Sequence, residues 1–321
     1  MDENLENKEP DLIPPEFGEE RKLEPAFSPV GAAFLGLVLV FVLYQFGGAL
    51  LTLAIFGLNF EKADVNIMRL LTMGGQLIFI LLPAFIFAKI VYKDVAAALR
   101  LNIPLMKEIG IFILGLIILT PLLQSFIYIQ NFLLTKLAEN FTLFDSMHKF
   151  MDELDKFVES AYGSLLESHS MFEGSFIVFV VAVIPAICEE TFFRGFVQKS
   201  FEQRLRPFWA IAITSIFFGV YHFNPYGLIS LIALGAYFGY AAYKSNSLFV
   251  TIILHFINNF LAVAAFLFME DKDLVSSSAT QNENILYSVI IFLILALAFF
   301  TFVFYVHRYY KRLKEVANDL P

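Results

Sequence analysis

The chain has 321 residues, of which 58% are hydrophobic and only 16% charged, with 39 phenylalanines and a formal net charge of −8. Soluble domains carry about 25% charged residues, so an ordinary water-soluble globule is excluded and the chain reads as a membrane protein, best counted in spans of about 20 residues. The acidic balance and the lack of long basic stretches exclude nucleic acid as a partner, and a single cysteine, Cys188, excludes an internal disulfide framework.

Residues 1–27 are acidic, proline-punctuated and poor in apolar side chains, a composition expected to stay disordered. Asp2, Glu3 and Glu6 stand where a secretory signal needs basic residues, so the first apolar run is expected to remain in the mature protein. That run spans Pro29 to Leu58, and two more follow at Met68 to Tyr92 and Ile109 to Phe132. After a long connection come Ser175 to Phe201, Pro207 to Tyr221, Tyr226 to Tyr243, Leu248 to Phe268 and Ile285 to Val306. None alternates with the period of a barrel strand, so all are predicted as helices. The expected fold is an all-α polytopic integral membrane bundle of about eight transmembrane helices. The fifth and sixth runs are short for spans, and His222 to Tyr226 is expected to turn inside the protein.

Basic residues set the orientation, because cytoplasmic loops carry the positive excess. With the N-terminus inside, the inner segments hold fifteen of the 22 Lys and Arg and the outer segments six, leaving Arg194 within a helix. Both termini are therefore expected inside, at an inner or plasma membrane, with Lys311-Arg312-Leu313-Lys314 as a C-terminal anchor. The chain divides into the tail (1–27), three N-terminal helices (28–134), an extracytoplasmic connection (135–174), a four-helix core (175–268) and a last segment with an outer loop, a final helix and a basic end (269–321). In the connection, Met147, Phe150, Met151, Leu154, Phe157, Val158, Ala161 and Leu165 recur at intervals of three and four, which predicts an acidic amphipathic helix capping the bundle.

An ionisable residue deep in a bilayer costs about 2.5 to 3.5 kcal/mol by insertion scales, so such residues mark function. Three clusters qualify: Cys188-Glu189-Glu190-Thr191-Phe192-Phe193-Arg194, Phe218-Gly219-Val220-Tyr221-His222 and His255-Phe256-Ile257-Asn258-Asn259. Glu189 and His222 lie symmetrically about the Arg204 to Pro207 turn, which puts them at one depth in an antiparallel hairpin. Glu190 and Arg194 share a helix face and can pair, while Glu189 points about 100° away. His255 and Asn259 also share a face. Pro185 removes a backbone hydrogen bond one turn before Glu189 and is expected to open the helix there. Such a set suits amide hydrolysis, with Glu189 as base, His222 sharing the water, and His255 with Asn259 at the oxyanion. The same Glu and His set can instead ligate a divalent, zinc-like metal.

EETFFR (Glu189 to Arg194), FGVYH (Phe218 to His222) and HFINN (His255 to Asn259) match EExxxR, FxxxH and HxxxN in order. The set closely resembles the CPBP family of intramembrane proteases, which includes CAAX prenyl endopeptidases and bacterial Abi-type proteins. The resemblance covers about Ser175 to Phe268. It implies a helical endopeptidase acting on a membrane-associated peptide or protein, with Glu189 and His222 activating water, Glu190 and Arg194 as a supporting pair, and His255 and Asn259 at the oxyanion. The family is described both as metalloprotease and as glutamate protease.

The alternatives are a buried ion-pair network that fixes packing, a proton- or ion-coupled transporter, and a non-catalytic membrane scaffold or immunity protein. His148, His169 and His307 read as solvated or interfacial, Cys188 as a small packing residue, and Gly235 with Gly239 as a surface for close helix approach. There is no HExxH motif and no aspartate well inside a predicted span, which sets aside two other membrane protease chemistries.

Overall fold

A computed structural model describes residues 23–57, 64–168, 170–269 and 285–318. The protein is a bundle of helices with connections, and no strand occurs among the described residues beyond one bridge between Pro25 and Tyr92. In chain order the principal helices are α1 (Pro29–Phe56), α2 (Val65–Val91), α3 (Met106–Asn140), α4 (Thr142–Leu166), α5 (Met171–Glu202), α6 (Pro207–Tyr221), α7 (Leu228–Ser245), α8 (Leu248–Met269) and α9 (Ile285–Asn318). Among the described residues, α1, α2, α3, α5, α8 and α9 are long and apolar enough to cross a membrane. Their outward faces expose large apolar side chains such as Leu35, Ile117, Ile294, Leu297 and Phe300. In water such a surface would be an aggregation hazard; in lipid it is the solvated face. The protein is an integral multi-pass membrane protein.

Local rules place the helix starts. Ser28 caps α1 ahead of Pro29, and Asp64 caps α2 by accepting from the N–H groups of Asn66 and Ile67. Ser170 accepts from Glu173 N at 3.2 Å to open α5. Two departures from the sequence expectations follow from backbone groups seeking partners. Residues 23–27, expected to be part of a disordered tail, are ordered because Ala26 N donates to Val91 O at 2.8 Å at the end of α2. Residues 1–22 and the connection at 270–284 lie outside the described residues. α3 also continues to Asn140, past the apolar run ending at Phe132, and its last turn carries a Lys136 to Glu139 ion pair of 2.8 Å.

Two apolar clusters organise the bundle. One joins α1, α2, α5 and α6 through side chains such as Leu37, Ala84, Phe192 and Phe218, and the other joins α3, α7, α8 and α9 through Phe112, Phe238, Leu254 and Val306. α6 and α7, of 15 and 18 residues, form a hairpin, and its turn, expected inside the protein, is only partly so, with Tyr226 buried but Phe223 exposed. Its turn is tied down from two sides: Gln130 Nε2 donates to Tyr226 O at 2.8 Å, and Tyr226 Oη donates to Asp152 Oδ1 of α4 at 2.5 Å. α4 is the amphipathic cap. Leu154, Val158 and Leu165 face inward as the spacing predicts, while Met147 and Phe150 are exposed. The buried guanidinium of Arg69 fixes its end, donating to Leu165 O at 3.0 Å and to Glu167 O.

Four π-turns interrupt the helices among the described residues, at Leu43–Gly47 in α1, Leu77–Leu81 in α2, and Phe179–Val183 and Thr191–Val197 in α5. Turns of this kind gather at functional sites, and each of these adjoins the polar cluster.

Candidate active site

Pro185 has no N–H to give the carbonyl of Val181, four residues earlier. The π-turn at Phe179–Val183 widens the helix just before it. Asn259 Nδ2, on α8, donates to that Val181 carbonyl at 3.2 Å, and Asn258 Nδ2 donates to Asn259 Oδ1 at 3.2 Å. Both ends of the Asn259 amide are thereby oriented, with one of its two N–H groups left over.

One turn further along α5, Arg194 Nη1 donates to Glu190 Oε1 at 2.7 Å, and both side chains are fully buried. His255 Nδ1 lies 2.8 Å from the same oxygen. An ionised carboxylate only accepts, so the network assigns a proton to Nδ1. Arg194 Nη2 also donates to Gly235 O at 3.1 Å, and Gln198 Nε2 to Gly239 O at 2.9 Å. Two side chains four apart on α5 therefore hold two carbonyls four apart on α7. Gly235 and Gly239 do form a close-approach surface, and it faces inward: a Cβ on Gly239 would lie 2.7 Å from Gln198 Oε1, and one on Gly235 3.0 Å from the Phe218 ring. The Arg194 guanidinium sits 4.3 Å from the Phe218 ring centroid, which adds a cation–π contact.

Glu189 faces away from that pair. His222, at the end of α6, has Nδ1 2.7 Å from Phe218 O, so that nitrogen donates to the carbonyl and Nε2 is turned toward Glu189. Nε2 lies 3.7 Å from Glu189 Oε2, which is buried and has no hydrogen-bond partner. The other oxygen, Oε1, accepts from Gln76 Nε2 at 3.1 Å. Leaving a buried charged oxygen unpaired costs about 1 to 3 kcal/mol or more. Glu190 Oε2 is also without a partner, but Glu189 borders a cavity and Glu190 does not.

That cavity has a volume of about 710 Å³ and lies beneath α4. Glu189, His222, His255 and Asn259 line it with Pro185, Phe218 and cap residues such as Leu154 and Asp155. The structure thus brings all six sequence-predicted residues together, four on the wall and the Glu190 and Arg194 pair behind His255. Polar residues without a charge escape the sequence reasoning. Tyr44, Gln45 and Gln76 also line the cavity, from helices in which only ionisable groups had been sought. An uncharged amide in mid-span was the signal available. Outside the site, Cys188 is buried, His148 Nδ1 lies 3.2 Å from Asp152, His307 is exposed near Lys244, and His169 lies outside the described residues.

Glu189 Oε2 and His222 Nε2 present two lone pairs to one space. A catalytic zinc site takes three protein ligands, and among the described residues no three His, Cys, Asp or Glu side chains form a metal-holding group. The donor set falls one ligand short of such a site.

Fold and site together define a polytopic helical membrane protein with a buried Glu, His and Asn centre under an amphipathic cap. Residues 172–261 match the family model described as Type II CAAX prenyl endopeptidase Rce1-like. The match spans all three motifs, agrees with their CPBP resemblance and supports a peptidase acting within the membrane; α1 to α4 and α9 fall outside it. No curated protein and no solved structure matches the chain.

Proposed function

We propose that the protein is an endopeptidase that cleaves a membrane-associated peptide or protein by water activated between Glu189 and His222. The observation that carries this reading is the facing pair Glu189 Oε2 and His222 Nε2, 3.7 Å apart at the cavity wall. A water between them donates one proton to each and turns an oxygen lone pair to the scissile carbonyl. Glu189 takes a proton as general base and delivers it to the leaving amine, while His222 holds the other.

Negative charge then develops on the carbonyl oxygen, where His255 and Asn259 donate. With Nδ1–H on Glu190, His255 offers Nε2–H as an imidazolium. The charges of Glu189, Glu190, Arg194 and that imidazolium then sum to zero, which a low-dielectric site requires. Glu190 and Arg194 act through His255 and position it. Asn259 adds its remaining N–H. Both termini lie inside in this reading, on the strength of the basic helix ends.

Asn259→Ala should lower kcat by about 10² to 10³ with KM unchanged, measured on the purified protein; weaker substrate binding with normal turnover would contradict its role. The test of the whole reading is the peptide inventory of membranes from cells carrying wild type or Glu189→Gln. Uncleaved peptides should accumulate in the variant, and identical inventories would overturn the endopeptidase.

A further inference from the structure

The reacting carboxylate is held from outside the matched segment, by a side chain with no charge. Gln76, on α2 immediately before the π-turn Leu77–Leu81, is 4% exposed. Its Nε2 has two protons to give, and two acceptors stand at 3.1 Å: Tyr44 Oη of α1 and Glu189 Oε1 of α5. Its own Oε1 is buried with no partner. Turning the amide over would set that oxygen against the Glu189 carboxylate, two acceptors face to face. The orientation that donates to Glu189 is therefore kept although it leaves a buried carbonyl unpaired.

The consequence lies on the other oxygen. A glutamate terminus rotates easily about its last bond, so two equivalent oxygens compete to face His222. With Oε1 tied to Gln76, Oε2 is the one that stands 3.7 Å from His222 Nε2. The same π-turn of α1 braces the partner as well, since Gln45 Nε2 donates to the carbonyl of Tyr221, the residue before His222, at 2.8 Å.

We propose that Gln76, oriented by Tyr44, is a positioning residue that fixes Glu189 so that Oε2 alone faces His222. This rests on Glu189 as the base, and the test separates the two ideas. Dicyclohexylcarbodiimide, an apolar reagent that modifies carboxyl groups in their protonated form, is applied to the full-length protein in detergent, and fragment-ion mass spectrometry reads Glu189 and Glu190 separately. Gln76→Met keeps the length of the side chain and removes the donor. Without the Gln76 donor the Glu189 carboxyl is free to turn toward the cavity and the reagent, so its labelling should rise about tenfold while Glu190 is unchanged. Tyr44→Phe should raise it about threefold, and the double variant no further than Gln76→Met alone, because both act through one bond.

An unchanged Glu189 rate in a folded Gln76→Met protein overturns the proposal. So does an equal rise at Glu189 and Glu190, which is the mark of a loosened fold. Labelling needs no turnover, so an endopeptidase reading that fails on the membrane peptides leaves this result to stand or fall by itself. Where the accumulating peptide is in hand as substrate, Gln76→Met should lower kcat about 10- to 100-fold with KM unchanged.

Discussion

Glu189→Ala and His222→Ala should each abolish peptide cleavage while the protein still inserts and folds. A positioned general base contributes about 10² to 10⁴ in rate, and in the proposed mechanism the base and its imidazole partner share one water, so loss of either removes the same nucleophile. The fold should tolerate both changes because the links these two groups make between helices are few, one hydrogen bond from Gln76 to Glu189 and a 3.7 Å approach of His222 to Glu189. Glu189 Oε2 has no partner, and its Oε1 bond reaches only Gln76. His222 bonds the carbonyl of Phe218 in its own helix. Turnover on the accumulated membrane peptide and the unfolding midpoint in detergent are the two measurements. Undiminished turnover in either variant would sink the mechanism.

Arg194→Met should do the reverse and damage the fold first. It removes a fully buried cation from Glu190, releases the Gly235 carbonyl and strips a cation from the Phe218 ring. Removing one partner of a buried pair costs about 3 to 5 kcal/mol, because the remaining charge has no water to turn to. Denaturant titration in micelles should show that loss. The double variant Glu190→Gln with Arg194→Met should recover much of the stability, since neither partner of that pair is left without the other, but no turnover, since His255 then lacks its counter-charge. An Arg194→Met protein as stable as wild type would show that the pair is not what locks α5 to α7.

Much of this architecture can be read from residue patterns. Apolar runs located the helices because a span must satisfy every backbone group internally. Charged residues within them are so costly that the few present nearly had to converge. The symmetry of Glu189 and His222 about the Arg204 to Pro207 turn placed them at one depth, and their atoms lie 3.7 Å apart. The i, i+4 spacing of Glu190 and Arg194 gave their pairing. What stayed hidden has physical causes. The π-turns have no sequence signature, since the extra residue is accommodated by packing from other helices. Gln76 and Tyr44 carry no charge, so a filter built on ionisation passes over them. The bond from His255 to Glu190 crosses 65 positions and depends on how α8 rotates against α5.

The Asn259 amide leans on a carbonyl that a regular helix would have kept for itself. Pro185 withholds the N–H that would otherwise compete for Val181 O, and the neighbouring π-turn departs from the ladder at the same place. In the proposed mechanism the geometry of Asn259 and the regularity of the helix are thus in opposition along this stretch of α5. Repairing the helix would make a sturdier protein and a poorer enzyme. Thermostability selected without regard to turnover would be drawn first to the irregular segment that the chemistry uses.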